Sequence, residues 1–192
     1  KCQYRFGLTG TLDGTQTHRL VLEGLFGQVK QVTTTKELMD NKTLAKINID
    51  CIVLKHTEEE CKRVRKYTYA EELNYIVSHT KRNKFIEKLC KTIKGNTLVL
   101  FQLVDKHGVL LYNELKKLDK KVFFVYGGTT AETRERIRAI VEKEKDSLII
   151  ASYGTFSTGI NIRNLHNIVF SSPSKSRIRN LQSIGRGLRL KD

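Results

Sequence analysis

At 192 residues the chain is long enough for one full domain, or for a domain with part of another. Its 39% apolar residues fall in short runs, none near the roughly 18 consecutive apolar residues of a membrane span, and no terminal segment reads as a signal peptide or lipid anchor. Lys and Arg number 35 against 20 Asp and Glu, and the resulting charge of +15 points to a polyanionic partner, nucleic acid before any membrane surface.

Cys2, Cys51, Cys61 and Cys90 form no Cys-x-x-Cys pair, and the five histidines are scattered along the chain. No metal site is therefore expected in this chain, and the cysteines read as reduced thiols of a cytoplasmic protein. The chain starts at Lys1 and reads as core strand almost at once, so a fragment or processed piece is expected.

In chain order, residues 5–9 read as a buried strand ending in a Gly-rich turn, residues 18–26 as a short helix, and residues 29–34 and 47–54 as strand-like runs. The charged stretch 57–66, with Glu58, Glu59 and Glu60, reads as a solvated link. Two helices follow, the second closing with Phe85, Ile86, Leu89, Cys90 and Ile93 on one face. A boundary near Leu44 separates a partial first unit, residues 1–44, from a complete second unit, residues 45–192.

The second unit alternates strand and helix. Residues 98–101, 122–126, 148–151 and 168–170 are short apolar runs. Between and after them come helical patterns: Val109, Leu110, Tyr112, Leu115 and Leu118; then Ile137, Ile140 and Val141; finally Ile178, Leu181, Ile184 and Leu188. This order implies an α/β fold with a parallel sheet covered by helices on both faces, which explains continuous rather than alternating apolar runs.

Open parallel sheets work at the carboxyl ends of their strands. Here those ends are Gln102, the Gly127-Gly128-Thr129-Thr130 turn, the loop 152–161, and Ser171-Ser172. Hydroxyls, amides and glycines suit phosphate, because small residues let backbone N–H groups approach. Plain turn chemistry explains any one loop as well. In Gln182-Ser183-Ile184-Gly185-Arg186-Gly187-Leu188-Arg189, a helix of ~100° per residue places Gln182, Arg186 and Arg189 in a ~60° sector. The apolar stripe of Ile178, Leu181, Ile184 and Leu188 is centred roughly 120° away, so the predicted helix packs by that stripe and presents one amide and two guanidiniums. Guanidinium grips phosphate with a planar fork.

The segment Gln182 to Arg189 matches Gln-x-x-Gly-Arg-x-x-Arg and resembles the sixth motif of superfamily-two helicases. Upstream, Ile149-Ile150-Ala151-Ser152-Tyr153-Gly154-Thr155-Phe156-Ser157-Thr158-Gly159-Ile160-Asn161-Ile162 is similar to the fifth motif, with Asn161 where the family usually has Asp. Residues 97–102 resemble the fourth motif, and Tyr126-Gly127-Gly128 with Arg134-Glu135 resembles the family's His-Gly turn and following helix. Gly7-Leu8-Thr9-Gly10-Thr11-Leu12 is similar to the third motif, which closes the first lobe, and residues 37–45 to the crossover segment of restriction-type helicases. The ordered set covers nearly the whole chain and is most similar to phage recombination and repair helicases.

The resemblance implies a second RecA-like lobe preceded by the tail of a first. It implies ATP contacts at Gly159, Asn161, Gln182, Arg186 and Arg189, with Gln182, Arg186 and Arg189 catalytic. It implies nucleic-acid contacts at Gln102, Thr129, Ser152 and Thr155, and lobe coupling at Thr9, Gly10 and Thr11. The implied partners are sequence-independent DNA, branched or single-stranded, or an RNA–DNA hybrid, and the first lobe of the same polypeptide. The implied location is the cytoplasm, the host's for a phage protein. No Gly-x-x-x-x-Gly-Lys-Ser/Thr loop occurs, so ATP with Mg²⁺ would need phosphate loop and metal ligands from the first lobe, and this chain alone is expected to be inactive. The rival reading is a non-catalytic basic nucleic-acid-binding α/β module. A methyltransferase with Gly127-Gly128 in its cofactor turn rests on a bare Gly-Gly and is the weakest reading.

Overall fold

The computed structural model describes residues 3–10, 12, 14–155 and 162–189. The elements in chain order are α1 (Gln16–Phe26), α2 (Thr35–Asp40), α3 (Glu58–Val64), α4 (Tyr69–Ser78), α5 (Thr80–Thr92), β1 (Thr97–Phe101), a π-helical turn (Val104–Gly108), α6 (Val109–Leu115), β2 (Lys121–Val125), α7 (Ala131–Val141), β3 (Ser147–Ser152), β4 (Asn167–Phe170) and α8 (Arg177–Gly187). Among the described residues no helix is long and apolar enough to cross a membrane.

The four strands form one parallel sheet in the order β2-β3-β1-β4. β1 lies inside, with Val99 opposite Ile150 of β3 and Val169 of β4. Leu98 and Leu100 face a core with Ile137 and Val141 of α7, while Val99 and Phe101 face a second core with Ile86 and Cys90 of α5 and Leu111 and Leu115 of α6. β1 and β3 are thus covered on both sides, as their continuous apolar runs require. Burial also pushes the Cys90 thiol up to about 12, so it stays an inert core group. The α6 pattern shifts from the sequence expectation: Leu111 is buried, while Val109 and Leu110 are 36% and 45% exposed. The π-turn ahead of α6 is the reason, since its wider winding rotates the helix that follows.

The strands expected over residues 5–9, 29–34 and 47–54 do not form, and those residues run as irregular chain. Phe6 is 86% exposed and Leu8 99% exposed. A strand needs a neighbour for its N–H and C=O groups, and the described sheet offers none beside these segments. The expected link 57–66 instead contains α3. Thr57 caps it, with Oγ1 accepting from Glu60 N at 3.3 Å while Glu60 Oε2 accepts from Thr57 N at 3.1 Å. The same reciprocal cap starts α2 at Thr34 and α4 at Thr68.

Asn96 closes the foot of the sheet and is fully buried. Its Nδ2 donates to the carbonyls of Asn164 at 2.8 Å, Glu144 at 2.9 Å and Val141 at 3.1 Å. Its Oδ1 accepts from Ser147 N at 3.0 Å and Ser147 Oγ at 2.8 Å. Gly95 precedes it at φ +91°, where a Cβ would stand 2.9 Å from His166 Cβ.

His107, in the π-turn, is also fully buried. Its Nδ1 lies 2.8 Å from Ser172 Oγ. Gly108 permits this placement, because a Cβ there would meet the Phe101 ring at 2.5 Å. Burial, and then the Arg82 guanidinium, lower the His107 pKa to about 4, so the ring is neutral at pH 7.

Two outcomes follow from these buried groups. Asn96→Ala orphans Ser147 and several helix-end carbonyls, and should cost about 3 kcal/mol and roughly 6–12 °C in Tm by thermal unfolding. A loss under about 2 °C would show that Asn96 is not the closing group. For His107 the unfolded chain, near pKa 6.5, binds the proton more readily than the folded one. Its contribution is intact above that value and is lost as pH falls toward about 4, on the order of 3 kcal/mol over the window. Urea unfolding of wild type and His107→Gln should therefore converge in stability as pH falls through that window. A pH-independent difference counts against the assignment.

Candidate functional site

The strand order reverses at β1: β2 and β3 lie on one side and β4 on the other. The crevice beyond the carboxyl ends of β1 and β3 is where an open α/β sheet binds ligands. Gln102 leaves β1 there, Thr129 follows β2, Ser152 ends β3 and Thr155 sits in the helical turn after it. All four residues lie along one edge of the sheet.

Their side chains are not equally available. Gln102 is half-buried, and its backbone N donates to Ser172 Oγ at 3.1 Å. Thr129 Oγ1 accepts from Tyr126 N at 3.1 Å, which tightens the glycine turn. Ser152 Oγ and Thr155 Oγ1 are 2.7 Å apart. Thr155 is only 4% exposed, so in this arrangement its hydroxyl serves the turn and Ser152 is the more accessible of the pair.

The exit of β4 is held from three sides, a feature sequence reading missed. Arg82 Nη2 of α5 donates to the Ser171 carbonyl at 2.5 Å. The Tyr153 hydroxyl donates to the Ser172 carbonyl at 2.8 Å, and His107 meets Ser172 Oγ. Burial lowers the Arg82 pKa. Burial also raises the Tyr153 hydroxyl to about 12, with Arg179 and Arg82 pulling the other way, so it remains a donor at neutral pH. Only Tyr153 carried a signal, by lying inside the fifth-motif run; nothing local marks Arg82 or His107.

α8 follows this exit. Ser176 caps it, with Oγ accepting from Arg179 N at 3.3 Å. The face that packs differs from the expected apolar stripe. Leu181 is 41% exposed, while Ser183 is buried and a Cβ on Gly187 would meet Ile168 Cδ1 of β4 at 2.8 Å. Small residues let α8 come close to β4, and that contact outweighs burial of Leu181. The helix also ends at Gly187, so Arg189 lies just past its C-cap, Leu188. Gln182 is exposed and Arg186 half-buried. Burial and then the neighbouring Arg189 lower the Arg186 pKa, which places the two guanidiniums within electrostatic reach of each other.

Thr9 and Gly10 are exposed and lie outside the packed sheet. Thr11, Gly159 and Asn161 lie outside the described residues.

The histidines prove less scattered in space than in sequence. His56 Nδ1 is 3.6 Å and His79 Nε2 3.8 Å from the Glu60 carboxylate. His79 Nδ1, however, accepts from Arg82 N at 3.2 Å as the α5 cap. That leaves the neutral ring's proton on Nε2, facing Glu60, which suits hydrogen bonding and not metal ligation. A larger groove of about 450 Å³ between α5 and α6 holds none of the motif residues.

Comparison with known proteins agrees with this architecture. The family model described as the Helicase conserved C-terminal domain matches residues 80–191. The ATP-dependent DNA helicase uvsW of Enterobacteria phage T4 is 36% identical over 191 residues, covering 98% of this chain and 38% of that protein's length. The C-terminal part of the Fun30 ATPase domain superposes with a TM-score of 0.52 at 19% identity, covering 71% of this chain and 51% of that one. With its parallel sheet and flanking helices, the chain belongs to the Helicase conserved C-terminal domain family and forms a RecA-like lobe of a superfamily-two helicase.

Proposed function

We propose that this chain is the second motor lobe of an ATP-dependent DNA helicase or translocase that acts on branched DNA in recombination and repair. The observation that carries the reading is the placement of Arg186 and Arg189 at the end of α8, beyond the same sheet edge that bears Gln102, Thr129, Ser152 and Thr155. On this reading ATP with Mg²⁺ binds mainly to a first lobe, which supplies the phosphate loop and the metal ligands. Gln182, Arg186 and Arg189 reach across to the triphosphate, joined by Gly159 and Asn161. An arginine finger is worth about 10³ to 10⁵ in rate in well-studied phosphoryl-transfer systems.

The edge residues hold one strand by its phosphates without reading sequence, so binding weakens with salt. Single-stranded or branched DNA fits this mode, and an RNA–DNA hybrid is compatible with it. Residues 1–44 belong to the first lobe on this reading, and Thr9, Gly10 and Thr11 couple the lobes. The exposed Phe6 and Leu8 support it, since a strand there would find its partners in that lobe.

In the two-lobe polypeptide, Arg186→Ala or Arg189→Ala should lower DNA-stimulated ATP turnover at least 10²-fold with little change in DNA affinity. Turnover within about threefold of wild type would refute the finger assignment. The 192-residue chain alone should bind DNA weakly and hydrolyse no ATP. A metal-dependent ATPase from this chain would refute the two-lobe division of labour, and retained DNA binding with no ATP-linked activity in the intact polypeptide would favour the non-catalytic module.

A further inference from the structure

Tyr153 opens the turn after β3, and two contacts carry it from that turn to α8. Its hydroxyl donates to the Ser172 carbonyl at 2.8 Å. Arg179 of α8 stands over its ring, with the guanidinium carbon 5.9 Å from the centroid. The side chain is 2% exposed and packs with Leu98, Leu100 and Ala151. A ring so enclosed moves with its surroundings. On one side of it lie Ser152 and Thr155, joined at 2.7 Å. On the other, the chain runs from Ser172 into α8 and on to Arg186.

Resting on the motor reading above, we propose that Tyr153 is a positioning residue that links nucleic-acid occupancy at the β3 exit to the placement of the Arg186 helix, through the Ser172 carbonyl and Arg179. The rest of the β4 exit is arranged to pass such a displacement on. Arg82 grips the Ser171 carbonyl, and the π-turn histidine contacts Ser172 Oγ. The exit loop is therefore braced against α5 and the π-turn, and its remaining handle is the Tyr153 hydroxyl. A phosphate drawn against Ser152 shifts the turn, the hydroxyl carries Ser172 with it, and α8 pivots on its small-residue face over Ile168. Tyr153 touches neither ATP nor the strand in this scheme. Its effect is confined to how strongly one site feels the other.

The test uses Tyr153→Phe in the two-lobe polypeptide, which removes one oxygen and keeps the ring. ATP turnover without DNA and the Kd for a single-stranded oligonucleotide should stay within about twofold, while turnover at saturating DNA falls about fivefold or more, the scale of a coupling between sites. Arg179→Gln keeps the proposal testable if the Phe variant folds poorly, and should lower the same ratio by about two- to threefold. Equal losses with and without DNA, or a stimulation ratio within about twofold of wild type in both variants, would overturn the proposal. Arg186→Ala serves as the control. If it keeps full turnover, the motor reading fails and takes this proposal with it; if it loses turnover while Tyr153→Phe keeps its stimulation, only the coupling fails.

Discussion

Strand β1 is fastened at both ends, and the remainder of the lobe is placed by reference to it. Its residues from Thr97 to Phe101 are all buried, with β3 and β4 on its two edges and helices over its two faces. At its foot Asn96 satisfies groups from α7, the start of β3 and the segment before β4. At its head Ser171 N and Oγ both donate to the Leu100 carbonyl, at 3.0 and 2.6 Å. A buried strand cannot leave polar groups unmatched, because each orphan costs about 1–3 kcal/mol. The two ends therefore set where the neighbouring loops begin. The loops at the head are the ones that carry the candidate contacts.

This division of labour explains why the polar residues at the two ends differ in kind. At the foot Asn96 and Asn164 bond to helix-end carbonyls in a closed set, and Asn164 Nδ2 repeats the Glu144 carbonyl contact at 2.8 Å. Nothing there faces outward. At the head the bonds run from side chains on α5, the π-turn and the β3 exit to the β4 exit loop, so elements far apart in sequence share one short segment. The foot is built for rigidity. The head joins parts that a motor would need to move together.

Much of the lobe was legible in the sequence because each strand is a short apolar run that can be buried only inside a parallel sheet. Leu148 to Ala151 and Leu98 to Phe101 carry no competing signal. The motif residues were legible as positions, but their exposure was not: Thr155 looks like any loop hydroxyl until its bond to Ser152 is seen. The first segments were misread for a physical reason. Residues 5–9 and 47–54 have strand composition, yet a strand is a property of two chains of backbone, and composition names no partner. α3 was legible in principle, since Thr57-x-x-Glu60 is a helix-start signature, but its run of charge read as a link. The packed face of α8 was not legible by periodicity, which weights Leu181 above Ser183 and Gly187 and so points the helix the wrong way.

That rotation of α8 has an electrostatic consequence. Packing by Ser183 and Gly187 brings the helix axis close to β4 and sinks the base of Arg186 into partly dry surroundings. Burial disfavours its charge, and the Arg189 guanidinium disfavours it again. Folding thus concentrates positive potential where two cations already oppose each other, within a chain of net charge +15. Both penalties have the same remedy, a polyanion seated between the two forks, which restores counter-charge and replaces lost solvation with hydrogen bonds. Had the apolar stripe packed instead, Arg186 would stand further from β4, better solvated and less in need of a partner. The glycine and serine of the motif therefore do more than allow close packing: they set how strongly the site favours phosphate.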